Sequence, residues 1–366
     1  MPDRVFLHIG LPKTGTTYLQ RSLWANRELL RERGLLLPGS GHRAHLLASL
    51  ELREDPSLAR RAGPDARPWT DLVTEAGRFD GDVLVTHEFF GAASQEQVRR
   101  SVAAFPGSRV EVLVTARPMV DLGISRWQEW IKNGARGAID DYPPGAGYDP
   151  ADEWGWGSFD LDDVLRRWGS VIDHDRIHVL PLAPGSPPVE LLERFLGVLG
   201  QDPAGLRLRD RPSNETLGLV EVELLRRVNR HLRGFRSASD RGTWIRGYLA
   251  GVIASGRERT RPGDDTLAEL ELRGERAVAR LADGYDLRGE VEWLRPSDVS
   301  DRRQPGEVTD GEMLEAATRV IAQLMSDLRE RSPAGPHRAP APAPPPTTGV
   351  SGLARRLRPG RGKTRA

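Results

Sequence analysis

At 366 residues, with 38% hydrophobic and 29% charged side chains, the chain has an ordinary globular composition; it can fill one α/β unit with insertions and is neither fibrous nor uniformly disordered. It has no cysteine, which excludes disulfides, thiolate metal sites and cysteine nucleophiles. The formal charge of +1 conceals an asymmetry, since residues 332–366 carry seven basic and no acidic residues and leave 46 basic against 52 acidic in the remainder. Basicity is therefore a property of the tail. No apolar run approaches the roughly 18–20 residues that cross a bilayer. The start, MPDRVFLHIG, lacks the long apolar stretch of a signal peptide. A cytoplasmic protein is expected.

The first element is a short β-rich run, Arg4–Gly10, that meets a Gly/Pro loop. Helical spacing follows from Thr16 to Arg33 through Leu19, Leu23, Leu29 and Leu30, and Gly34 stops it. Between them lies Gly10-Leu-Pro12-Lys13-Thr14-Gly15-Thr16-Thr17. A helix N-terminus offers backbone N–H groups with the helix dipole behind them, and so favours an anion. Gly15 permits close approach of the chain, Thr16 and Thr17 add hydroxyl donors, and Lys13 adds a point charge. The glycine spacing is that of the nucleoside-triphosphatase loop GxxxxGK[ST], but Thr16 stands where the lysine belongs and the lysine has moved to position 13. That displacement argues against ATP hydrolysis and phosphoryl transfer.

A second run, Asp82–Thr86, ends at His87-Glu88. A third, Arg109–Thr115, ends at Ala116-Arg117-Pro118, with a helix expected from Pro118 to Lys132. Arg117 thus stands at the C-terminal end of a strand, where open α/β sheets place their ligands, and two helical turns separate it from Ser125. A fourth run is Arg176–Leu180, and helices are expected over Pro188–Leu199, Thr216–Leu232, Leu267–Ala282 and Glu312–Arg331. Strands alternating with helices predict an α/β fold, a mostly parallel sheet flanked by helices in a P-loop-like three-layer architecture. It should occupy residues 1–331. Within it Gly134–Ser158, rich in Gly, Pro, Tyr and Trp, suits a lid or substrate loop. Residues 332–366, Pro/Ala-rich and then Arg/Gly-rich, read as a disordered basic tail that a membrane or polyanion would attract.

PKTGTT after a strand resembles the 5′-phosphosulfate loop of the sulfotransferase superfamily, whose members use 3′-phosphoadenosine-5′-phosphosulfate (PAPS). An arginine at a strand end, then a proline, then a serine after seven intervening residues resembles that superfamily's 3′-phosphate element. The resemblance implies that Pro12, Lys13, Thr14, Gly15, Thr16, Thr17, Arg117 and Ser125 hold the nucleotide. It implies an acceptor hydroxyl or amine on a carbohydrate, lipid or small metabolite, with no metal and no nucleic acid as partner. Carbohydrate-type members place a glutamate base at the end of the second strand and the cytosolic branch uses a histidine there, which makes Glu88 the first candidate base and His87 the second. HEFFG lacks the second histidine of a zinc HExxH motif.

Two other readings of the phosphate loop remain at this point: a P-loop-like kinase or nucleotide hydrolase, and a non-catalytic nucleotide- or polyanion-binding protein. Trp127 and Trp130, three apart on the expected helix, are adenine stackers or core, and Trp154 and Trp156 face an acceptor or pack their own loop. Arg211–Thr216 reads as a helix cap.

Overall fold

The computed structural model describes residues 2–145, 153–208, 217–254, 256 and 258–331. The chain divides into two units, Met1–Ile321 and Ala322–Ala366; of the second, residues 322–331 are described and are helical. The basic tail, the cap at Arg211–Thr216 and the middle of the 134–158 segment lie outside the described residues.

The first unit is built on six strands: β1 (Arg4–His8), β2 (Leu35–Leu36), β3 (Asp82–Thr86), β4 (Arg109–Ala116), β5 (Ile177–Pro181) and β6 (Asp286–Leu287). They form one sheet in the order β2-β3-β1-β4-β5-β6, and every pairing is parallel. The central strands are near-continuous apolar runs because both faces are covered. Val5 and Leu7 point into one core layer with Val83, Val85, Val112 and Val114, while Phe6, Leu84, Leu113 and Leu180 point into the other.

Helices α1 (Thr16–Ala25) and α2 (Arg27–Glu32) cover the second layer through Leu19, Leu23 and Leu30. The first layer is covered by α3 (His42–Leu52), α5 (Pro68–Ala76), α6 (Gln95–Ala103), α7 (Met119–Lys132) and α8 (Leu161–Gly169), with the short α4 (Ser57–Ala62) beside α3. Then α9 (Pro188–Val198) returns to the second layer, and α10 (Leu219–Asn229) and α13 (Asp264–Leu281) to the first. Between α10 and α13 lie α11 (Ala238–Trp244), a π-helical turn at Ile245–Leu249 and α12 (Ala250–Ile253); α14 (Asp310–Arg331) follows. The expected three-layer α/β architecture is present.

The expected helix over Thr16–Arg33 is broken at Asn26. Its side chain is turned to other work: Nδ2 donates to the Ser22 and Arg207 carbonyls, and Oδ1 accepts the Arg207 N–H. Trp127 is fully buried and Trp130 nearly so, both in the core layer.

At the C-terminal end of the central strands the packing turns polar. His8 has no exposed surface, and its Nδ1 lies 2.7 Å from the Thr86 hydroxyl while its Nε2 lies 3.4 Å from that of Thr115. The Thr115 hydroxyl is 2.6 Å from that of Thr14, which also donates to the Leu11 carbonyl. His45 of α3 accepts the Thr86 backbone N–H at Nδ1 (3.0 Å) and donates to the Pro38 carbonyl from Nε2 (2.7 Å). Two glycines let β1's exit and the turn after β3 touch above this layer. A Cβ at Gly10, whose φ is +93°, would sit 2.6 Å from Glu88 Cβ, and one at Gly91 would sit 2.8 Å from the Ile9 carbonyl oxygen.

Burial pushes both His8 and His45 down to about 4, so both rings are neutral in the fold at neutral pH. An unfolded histidine takes its proton near pH 6.5. Between pH 6.5 and 4 the unfolded chain therefore binds more protons than the folded one, and stability falls as pH falls through that window. The urea midpoint should drop on acidification from pH 6.5 towards 4, and a His8→Gln variant, less stable at pH 7, should show a shallower drop. Equal slopes for the two proteins would contradict this account of His8.

Candidate functional site

Beyond His8 the chain leaves the sheet but keeps two bonds to β4, Ile9 N–H to the Leu113 carbonyl (3.0 Å) and Leu11 N–H to that of Thr115 (2.6 Å). It then turns through three left-handed residues, Gly10, Lys13 and Gly15, with φ of +93°, +66° and +86°. A lysine in that region is strained and persists only where its surroundings over-determine it. Thr14 supplies the constraint, since its buried hydroxyl is fixed to Leu11 and Thr115 and does not line the cleft above. Helix α1 begins at Thr16 with Gly15 as N-cap; no side chain caps it and no acidic residue occupies its first turn. A helix N-terminus without a side-chain cap favours an anion.

That loop opens into a cleft of about 730 Å³, within the range of small-molecule sites. Pro12, Lys13, Gly15, Thr16 and Thr17 line it, as do Arg117, Ser125 and Glu88. A hollow of similar volume, but more open, lies by the first residues of β1, β4 and β6 (Arg4, Arg109 and Asp286). It is at the N-terminal end of the strands, whereas parallel α/β sheets carry ligands at the C-terminal end.

Arg117 follows the last residue of β4, and its Nη1 donates to Ser125 Oγ at 3.2 Å, so strand and helix bring the pair together. Burial lowers the Arg117 pKa; Asp121 opposes the shift and the charges of Arg259 and Arg302 add to it. An arginine keeps its proton regardless. Asp121 is engaged elsewhere, by Arg302 at 3.5 Å and the Ser297 hydroxyl at 2.8 Å. The charges of Arg259 and Arg302 thus act on Arg117 together with the carboxylate of Asp121. Arg259 and Arg302 come from segments more than a hundred residues away, and no local motif marks them.

His87 and Glu88 part company. β3 ends at Thr86, and His87 caps a single 3₁₀ turn over Glu88–Ala92, its Nδ1 accepting the Phe89 N–H at 3.1 Å. His87 is buried, does not line the cleft, and burial lowers its pKa despite the opposing charge of Glu88. Glu88 lines the cleft and accepts from the Gln20 amide at 3.1 Å. Burial works to raise its pKa, but His87, the backbone N–H, the Gln20 amide and His8 outweigh it, and the carboxyl lies below the ordinary range. At neutral pH it is an anion.

Glu129 is a cleft residue that inspection of the sequence passes over. It lies one helical turn beyond Ser125, and that i,i+4 relation is a signal that points to it. Its carboxylate pairs with Lys13 Nζ at 3.1 Å and with Arg246 of the π-helical turn at 3.4 Å. Burial pushes its pKa up, yet Lys13, Lys132 and Arg246 together hold it below the ordinary carboxylate range. Lys13 of the loop is therefore held by an internal carboxylate, with which an anion entering the cleft would compete. Glu129→Gln should bind inorganic pyrophosphate about tenfold more tightly in calorimetry at low salt, and the gain should shrink as salt screens the charge. Unchanged or weaker binding would mean that Glu129 orients Lys13 instead of competing for it.

No family model matches this chain, and no curated protein is similar to it in sequence. Among solved structures it is similar to the crystal structure of a sulfotransferase from Alicyclobacillus acidocaldarius, with 16% identity and a TM-score of 0.39 over 63% of this chain and 92% of that one. It is also similar to the sulfotransferase domain from the Curacin biosynthetic pathway, with 13% identity and a TM-score of 0.36 over 78% of this chain and 99% of that one.

Proposed function

We propose that the protein transfers a sulfuryl group from PAPS to an acceptor hydroxyl or amine. The observation that carries this reading is that Lys13 and Arg117, from ends of different strands, line one cleft with Glu88. PAPS differs from ATP in carrying negative charge at both its 3′ and its 5′ side, and so calls for two separate cationic sites. The loop Pro12–Thr17 and the start of α1 suit the 5′-phosphosulfate. Arg117 and Ser125, with Arg259 and Arg302 nearby, suit the 3′-phosphate. Thr14 serves the loop through its inward hydroxyl.

In this reading the acceptor oxygen or nitrogen attacks sulfur in line with the bridging oxygen. The bond from sulfur to that oxygen breaks, and 3′-phosphoadenosine-5′-phosphate leaves with the electron pair. Lys13 and the loop N–H groups stabilise the charge growing on the leaving oxygen. The Glu88 carboxylate, already ionised, takes the acceptor's proton. His87 is not the base, because its ring is buried away from the cleft with Nδ1 occupied by the Phe89 N–H. Arg246 and Lys13 are freed from Glu129 as the donor settles.

The test is transfer of labelled sulfate from PAPS to a panel of hydroxyl and amine acceptors. Lys13→Ala should lower kcat by about 10²–10³-fold, the loss of one oxyanion donor. Glu88→Gln should lower kcat by about 10²–10⁴-fold with nucleotide affinity kept. Wild-type turnover in Glu88→Gln would move the base elsewhere, and transfer of a labelled γ-phosphoryl group from ATP, with none of sulfate from PAPS, would replace the reading altogether.

A further inference from the structure

Arg126, next to Ser125 on α7, is 3% exposed, yet it lines the cleft. Its Nη2 donates to the Glu153 carbonyl and to Ser158 Oγ, the latter at 3.2 Å. The guanidinium lies over Trp154, 4.8 Å from the ring centroid, and 5.7 Å from that of Phe159. Its Nε is buried without a hydrogen-bond partner, and among the described residues no carboxylate pairs with it. A buried charge with no carboxylate beside it among the described residues is expensive, and arginine cannot escape by losing its proton. Of the carboxylates that line the cleft, Glu88 is engaged by Gln20 and Glu129 by Lys13 and Arg246, while Glu153 meets Arg126 through its backbone carbonyl.

The position of Arg126 says which part of a reaction it serves. The segment that holds it, 153–159, is tied to the Glu88–Ala92 turn through Arg167, whose Nη1 donates to the Gly91 carbonyl at 2.9 Å and to that of Ala93, and whose Nη2 donates to the Gly157 carbonyl. Ser158 itself lies against that turn, its carbonyl oxygen 3.9 Å from where a Cβ on Gly91 would stand. Arg126 therefore belongs to the wall that also carries Glu88, and the nucleotide's two ends already have Lys13 and Arg117. Resting on the sulfuryl-transfer reading, we infer that Arg126 binds an anionic group of the acceptor. The substrate is then a hydroxyl or amine compound that carries a carboxylate or comparable oxyanion, with Trp154 and Phe89 offering it apolar surface.

The experiment is calorimetric titration of the whole chain, saturated with 3′-phosphoadenosine-5′-phosphate, with 4-hydroxybenzoate and with 4-hydroxybenzamide, which share a shape and differ by one charge. The wild type should bind the acid about tenfold more tightly than the amide, the worth of one charge-assisted bond. Arg126→Gln should bring the ratio to about one, and Arg126→Lys should keep part of the preference, both with unchanged affinity for the bisphosphate. Because the ratio is taken within one protein, a partly unfolded variant does not alter it. Equal affinities in the wild type, no measurable binding of the acid, or a preference that survives in Arg126→Gln would each overturn the inference. So would a loss of bisphosphate affinity in Arg126→Gln, since the guanidinium would then serve the donor. Failure of the wild type to bind the bisphosphate would sink the donor reading instead, and the acid-to-amide ratio measured without nucleotide would still decide Arg126.

Discussion

The site rests on a buried chain of hydroxyls and one neutral imidazole at the ends of three parallel strands. Thr86, His8, Thr115 and Thr14 lie in sequence across β3, β1, β4 and the loop, and the chain ends on the Leu11 carbonyl. Each member is a polar group that would be costly if left unpaired in the interior. Their mutual satisfaction fixes the spacing of the strand ends and holds the loop so firmly that Lys13 tolerates a positive φ. A loop that reorganised around its ligand would lose binding energy to ordering; one held in place from below does not.

Above that layer Lys13 and Arg117, like charges from different parts of the fold, line one cleft. Glu129 pairs with Lys13, and the charge of Asp121 acts on Arg117. On the reading proposed above, such a cleft would favour a ligand with two anionic ends over one with a single compact group. Gly10 and Gly91 add a geometric condition, because only without a Cβ at either place can the Glu88 turn approach the loop.

How much of this was legible in the sequence depends on how local each feature is. The strands β1, β3, β4 and β5 announce themselves as apolar runs long enough to be buried on both faces. The edge strands β2 and β6 have two residues each and leave no periodic trace. The loop and the Arg117–Ser125 pair are legible because both partners lie within one strand–turn–helix unit. Arg259 and Arg302 reach Arg117 only through the fold, so no spacing betrays them. The difference between His87 and Glu88 could not be read from the sequence: the chain has left the strand by then, and the 3₁₀ turn, with His87 as its cap, places Glu88 on the cleft. The 134–158 segment shows its Trp and Gly content, but the role of Trp154 as a platform for Arg126 depends on a contact 28 residues away in sequence.

On the proposed reading, separate cationic sites hold the two phosphate-bearing ends of one nucleotide. Calorimetry with 3′-phosphoadenosine-5′-phosphate, AMP and ATP is the decisive measurement. The bisphosphate should bind about 10–100-fold more tightly than AMP, the worth of charge-assisted bonds to one added phosphate, and Arg117→Ala should erase that margin while leaving AMP affinity in place. Comparable affinities for all three nucleotides would contradict the account.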